Sequence, residues 1–124
     1  MRVLVVDDEA TVRVVLRIKL ETMGWCVDEA RSGDEALARC RKAPPDAVVL
    51  DHRMRGRTGL DVAKVLREEG YAGTILLYSA YVTPSLQADA RAAGLVAVPK
   101  TQFADVVQLL QRAAEGVEPS GADG

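Results

Sequence analysis

The chain has 124 residues, enough for one domain with a full core and no need of metal or disulfide staples. Its formal net charge of −2 supplies no basic field to draw nucleic acid, and no segment approaches the ~18–20 apolar residues of a membrane span. Hydrophobic residues make up 48% and aromatics only 4%, so the core should be aliphatic, built on Val, Leu, Ile and Ala.

The start "MRVLVVDD" lacks the long apolar region and small-residue cleavage site of a signal peptide, and a cytoplasmic location is expected. Val3 to Val6 reads as the first strand. Glu9 to Met23 follows with Val12, Val15, Leu16, Ile18, Leu20 and Met23 at helical spacing, and Gly24 supplies the stop. "WCVDEA" (Trp25 to Ala30) is half polar and suits a sheet edge. Ser32 and Glu35 have the spacing of a capping box, opening a helix that runs to about Lys42 before Pro44-Pro45.

Asp46 to Leu50 is the third strand, apolar after its first residue. The loop "DHRMRGRT" leads into a helix from Gly59 to about Glu69, with Val62, Leu66 and Val65 inward and Gly70 closing it. Thr74 to Tyr78 is the fourth strand. Thr83-Pro84 reads as an N-cap followed by an N1 proline, and that helix stops at Gly94. Leu95 to Val98 is the fifth strand, and Gln102 to Glu115 is an amphipathic last helix with Phe103, Val106, Val107, Leu110, Ala113 and Ala114 on one face. Residues 1–116 make the domain, and 117–124 a flexible tail or the start of a linker. Cys26, Cys40 and the single His52 have no metal-site or disulfide spacing, and the cysteines read as small packers or surface thiols.

Strict strand–helix alternation predicts an α/β fold: a doubly wound, five-stranded parallel sheet in three α/β/α layers with five helices. Ligands of such folds bind where the strands end. Here Val6 gives way to Asp7-Asp8, Leu50 to Asp51, Tyr78 to Ser79, and Val98 through Pro99 to Lys100. Three carboxylates gathered at one edge repel, and at least one pKa rises unless a cation joins them. Hard oxygen ligands suit Mg²⁺, with Mn²⁺ as an alternative. Lys100 adds a point charge and Ser79 a rotatable donor, a set that fits a carboxylate attacking a phosphoryl group in line.

With these residues in this order, the chain resembles the receiver domain of the response regulators of two-component signalling, over residues 2 to 116. Ser79-Ala80 after strand four belongs to the pattern. So does the spacing in "DHRMRGRTG", where Met54 follows Asp51 by three and Gly59 by eight. The resemblance implies a flavodoxin-like strand order 2-1-3-4-5. It implies that Asp51 accepts a phosphoryl group from a phosphohistidine on a sensor histidine kinase or histidine phosphotransferase. Asp8 and Asp51 would ligate Mg²⁺ directly, Asp7 through water, and Arg53 through its backbone carbonyl. Lys100 would contact the phosphoryl group and Ser79 would move to bond it. A downstream protein or effector domain would read the altered surface. A homodimer is open, and no direct contact of this chain with nucleic acid or membrane is expected. Such a domain phosphorylates and dephosphorylates itself and has no independent metabolic substrate.

The sequence departs from the family pattern in places. Arg55 stands where proline usually follows the Met, so that Arg53, Arg55 and Arg57 line the loop, either as a solvated basic stretch or as a hold on an acidic or phosphorylated partner. Pro99 precedes Lys100 and Thr101 follows it, where the family has Lys followed by Pro; Gly94 lies six residues before the lysine rather than seven. The usual aromatic positions hold Val98 and Ala97. Tyr81, two beyond Ser79, is the nearest aromatic to report phosphorylation or to shield the acyl phosphate, and His52 reads as a loop side chain rather than a phosphate donor.

Two other classes compete. A small Mg²⁺-dependent phosphohydrolase also forms an aspartyl phosphate, but commonly carries a second Asp where this chain has Arg53. A phosphorylation-independent interaction module would share the shape alone. A flavodoxin-like cofactor binder is disfavoured by the acidic first loop, which would repel an FMN phosphate.

Overall fold

Short aliphatic runs become the inner strands because a parallel sheet covered on both faces buries the side chains of its central strands. The computed structural model describes residues 1–116; the expected tail at 117–124 lies outside them. The elements are β1 (Arg2–Val6), α1 (Ala10–Glu21), β2 (Cys26–Ala30), α2 (Gly33–Lys42), β3 (Ala47–Leu50), α3 (Gly59–Glu68), β4 (Thr74–Ser79), α4 (Pro84–Ala92), β5 (Val96–Pro99) and α5 (Phe103–Ala114). The strands form one parallel sheet in the order β2-β1-β3-β4-β5, the doubly wound arrangement expected.

Strand alternation splits the core in two. Leu4, Val6, Val48, Leu50, Ile75 and Leu77 face α2, α3 and α4. Val3, Val5, Val49, Leu76, Tyr78 and Val98 face α1 and α5. Leu50, Leu76 and Leu77 are fully buried, each worth about 2 kcal/mol relative to exposure. Cys40 packs in the first cluster and Cys26 is exposed, both as free thiols.

The helix starts follow local chemistry. Ser32 Oγ accepts from the Glu35 amide at 3.0 Å. Glu35 reaches back to the Arg31 amide at 2.7 Å, one residue earlier than in an ideal capping box. Thr83 accepts from the Leu86 amide at 3.1 Å, with Pro84 opening α4. Thr58 caps α3 in the same way, through the Asp61 amide at 3.1 Å. α1 has no side-chain cap at Glu9 and ends at Glu21 rather than Met23. Only Leu16 and Leu20 of α1 are buried; Val15 and Ile18 are each 51% exposed and Met23 is 40% exposed. The apolar period there is wider than the face that packs.

β5 sits one residue later than the sequence suggested, and Pro99 lies inside it, beside Ser79. The Lys100 amide donates to the Ser79 carbonyl at 2.8 Å. Because amides alternate sides along a strand, position 99 faces away from β4, toward the free edge. A proline there forfeits no ladder bond.

Candidate functional site

Sheet register delivers the acids to one place. Val6 lies beside Leu50, so the next residues, Asp7 and Asp51, leave neighbouring strands together. The ladder continues into them: the Asp7 amide donates to Ala30 O at 3.1 Å and the Asp51 amide to Val6 O at 2.9 Å. Asp7 is held further, its Oδ1 accepting from the Glu9 amide at 2.9 Å and its carbonyl from Arg13 at 2.8 Å. Asp7 and Asp51 are 2% and 6% exposed, and Asp8 is half-buried. One oxygen from each of Asp7, Asp8 and Asp51 lies within 4.8 Å of the others.

Lys100 comes in from the end of β5. Its Nζ stands 3.0 Å from Asp7 Oδ2 and 3.2 Å from Asp51 Oδ1. Two buried carboxylates thus share one ammonium. Burial raises the Asp51 pKa and repulsion from Asp7 adds to it, while Lys100 pulls it back only in part. Burial works against the Lys100 ammonium, yet its hydrogen bond to Asp7 and the attraction of Asp51 and Asp7 outweigh that and hold its pKa above the ordinary value. Three carboxylates against one ammonium leave excess negative charge on hard oxygen donors, a set that fits Mg²⁺.

Ser79 is 1% exposed, and its Oγ is the one fully buried side-chain polar atom among the described residues with no hydrogen-bond partner. An unsatisfied buried hydroxyl costs about 1–3 kcal/mol. It ends β4, flanked by the strands β3 and β5, after which Asp51 and Lys100 follow directly.

The β3–α3 loop explains its own spacing. Met54 is buried against the α2/α3/α4 core. The Gly59 amide donates to the His52 carbonyl at 2.9 Å, and a Cβ at Gly59 would collide with the Asp51 carbonyl. Glycine is required there because the backbone returns directly onto Asp51. His52 Nδ1 accepts from the Leu60 amide at 3.3 Å, and burial lowers its pKa; it is a neutral group stitching the loop to α3.

The three arginines part company. Arg57 pairs with Asp34 at 3.0 Å, and the Arg55 amide donates to Asp8 at 3.2 Å while its guanidinium is 3.9 Å from the same carboxylate. Arg53 lies over the Tyr81 ring, 5.8 Å from its centroid, and Tyr81 itself is 70% exposed at the rim. One residue of the site escaped the sequence reading altogether. Tyr78 donates its hydroxyl to the Lys100 carbonyl at 3.0 Å. Its position, last before Ser79 in an apolar strand, hid it as a core residue.

The sequence profile of the response regulator receiver domain matches residues 3–113. The transcriptional regulatory protein ResD of Bacillus subtilis is 42% identical over 76 residues, which cover 61% of this chain and 32% of that protein. The chain therefore spans about a third of the length of such curated relatives. Among solved structures, the response regulator TrrA of Thermotoga maritima, in complex with Mg(2+)-BeF, is 32% identical with a TM-score of 0.81, covering 90% of this chain and 97% of that one. The chemotaxis protein CheY4 of Vibrio cholerae is 28% identical with a TM-score of 0.78 over the same shares. No helix of the described residues is long and apolar enough to cross a membrane.

Proposed function

The chain belongs to the response regulator receiver domain family, and on that premise we propose that Asp51 accepts a phosphoryl group from a phosphohistidine on a partner kinase or phosphotransferase. The observation that carries this reading is the sharing of Lys100 between Asp7 and Asp51, with Asp8 within the same few ångströms. A purely structural acidic turn has no use for three carboxylates and an ammonium drawn from three different strand exits. The complex of the Thermotoga maritima relative with Mg(2+)-BeF supports the same chemistry.

In this reading the carboxylates of Asp8 and Asp51 and the carbonyl of Arg53 would hold Mg²⁺ directly, and Asp7 through water. When bound, the ion neutralises the excess charge of the pocket and of the incoming phosphoryl oxygens. Lys100 engages Asp51 Oδ1 and keeps the carboxylate oriented, leaving the other oxygen to attack. That oxygen forms a P–O bond as the donor's P–N bond breaks, and the electron pair leaves on the imidazole nitrogen. Lys100 then meets a phosphoryl oxygen, and the Ser79 hydroxyl, unpartnered beforehand, donates to another. Both gains exist only once the group has arrived, so they favour the transferred state over the ground state. Movement of Ser79 and of the β5 exit alters the surface that a downstream partner or effector domain reads. Tyr81 and Arg53, stacked at the rim, shield the acyl phosphate from water.

The test is direct. Incubation with Mg²⁺ and acetyl phosphate is expected to add one phosphate by intact mass, and Asp51→Asn to add none. A parent protein that stays unlabelled with metal present would leave only a phosphorylation-independent interaction module, and sustained turnover of small phosphomonoesters would point to a phosphohydrolase.

A further inference from the structure

Resting on the phosphotransfer reading above, we infer that Tyr78 is a positioning residue for Lys100: its hydroxyl fixes the lysine backbone so that the ammonium meets Asp7 and Asp51. Little else in the chain restrains the Lys100 backbone. It occupies the first central position of a turn closed by the Gln102 amide on the Pro99 carbonyl at 2.9 Å. Pro99 fixes its own φ but not that of the residue after it.

Here both ends of the residue are tied to β4. The Lys100 amide donates to the Ser79 carbonyl at 2.8 Å, and the Lys100 carbonyl accepts from the Tyr78 hydroxyl at 3.0 Å. Consecutive residues of one strand thus clamp the two faces of one lysine, and its Cα–Cβ direction is set relative to the sheet. The clamp is itself anchored, because the Tyr78 ring is 8% exposed and packs between α1 and α5 with Leu16 and Val106. Burial raises the phenol's pKa, so it stays a donor across the working pH range. A long, flexible side chain delivering one ammonium to two oxygens at 3.0 and 3.2 Å gains most from such a fixed base.

The decisive comparison is Tyr78→Phe, which keeps the ring, with Tyr71→Phe as the control. Tyr71 also donates its hydroxyl to a backbone carbonyl, that of Pro45 at 2.7 Å, in a half-buried setting at the opposite end of the sheet. Two readouts apply. With lysine ¹⁵N-labelled and no metal present, the Lys100 ammonium resonance, identified by its loss in Lys100→Ala, is expected to move in Tyr78→Phe and not in Tyr71→Phe. With Mg²⁺ and acetyl phosphate, labelling of Asp51 is expected to slow about fivefold in Tyr78→Phe, the factor of one ordinary hydrogen bond. It should slow no further when Tyr78→Phe is added to Lys100→Ala, because the hydroxyl acts through the lysine. An unmoved ammonium resonance, or equal slowing in the two backgrounds, overturns the assignment. A parent that takes no label sinks the phosphotransfer reading instead, and the resonance still decides whether Tyr78 positions Lys100.

Discussion

Replacing Lys100 with Met leaves Asp7 and Asp51 buried beside each other with no ammonium between them. At an effective dielectric constant of ~20, each of the two contacts, at 3.0 and 3.2 Å, represents about 5 kcal/mol of attraction. The repulsion between the two acids, whose oxygens lie within 4.8 Å, is about 3.5 kcal/mol on the same basis and is then uncompensated. Recovering the hydration of the lysine returns several kcal/mol. A second relief sets a ceiling: one acid can take a proton. Protonating a carboxylate of pKa about 3.9 costs about 4 kcal/mol at pH 7 and about 1.5 kcal/mol at pH 5. The variant should therefore be about 3–4 kcal/mol less stable than the parent at pH 7, and only about 1.5 kcal/mol less stable at pH 5. The sign follows from linkage: a folded-state pKa raised in the variant stabilises it as pH falls. Urea unfolding in the presence of a chelator at the two pH values measures both numbers. A deficit below about 1 kcal/mol at pH 7, or one of equal size at pH 5, would show that the acids do not depend on Lys100 as the distances imply.

Ser79→Ala removes a buried hydroxyl that has no partner, so the unphosphorylated protein should gain about 1 kcal/mol in urea unfolding while the phosphorylated form loses lifetime; a loss of stability would mean the hydroxyl is satisfied after all. Gly59→Ala drives a Cβ into the Asp51 carbonyl and should cost about 1–3 kcal/mol and slow labelling of Asp51, with unchanged unfolding as the contrary result. Glu29 desolvation alone would raise its pKa, but hydrogen bonds from Arg13 and Arg17 overcome that and lower it. Its contribution is therefore present above the ordinary carboxylate range and lost as pH falls through the lowered value. Glu29→Gln should cost about 1 kcal/mol at pH 7 and nothing near pH 2, read from paired unfolding curves.

Much of this arrangement could be read before any coordinates. The two-layer burial of Leu50 and Val49 follows from a run apolar at every position, and the gathering of Asp7, Asp51, Ser79 and Lys100 follows from parallel strands sharing one exit edge. Three things were hidden, each for a physical reason. Pro99 looks like a strand terminator, yet it sits in β5 because its missing amide faces outward, which shifted that strand by one residue. In α1, helical spacing marks Val15 and Ile18 as inward, but period alone does not say how wide a face the neighbours cover. Tyr78 looks like one more hydrophobic residue of β4. Its function lies in a hydroxyl whose partner, the Lys100 carbonyl, comes from a turn 22 residues away.

Pro99 also bears on how copies of this domain can meet. A sheet with two open rims invites another sheet to add on, backbone to backbone. One rim here is β5, four residues long and lacking a donor at Pro99; the other is β2, with the charged Asp28 and Glu29 in its middle. Both rims resist continuation, one by brevity and a missing N–H, the other by charged side chains, which edge strands use against pairing. Strand addition is thereby disfavoured at both rims of the sheet, and the surfaces left for meeting another copy are those of the helices.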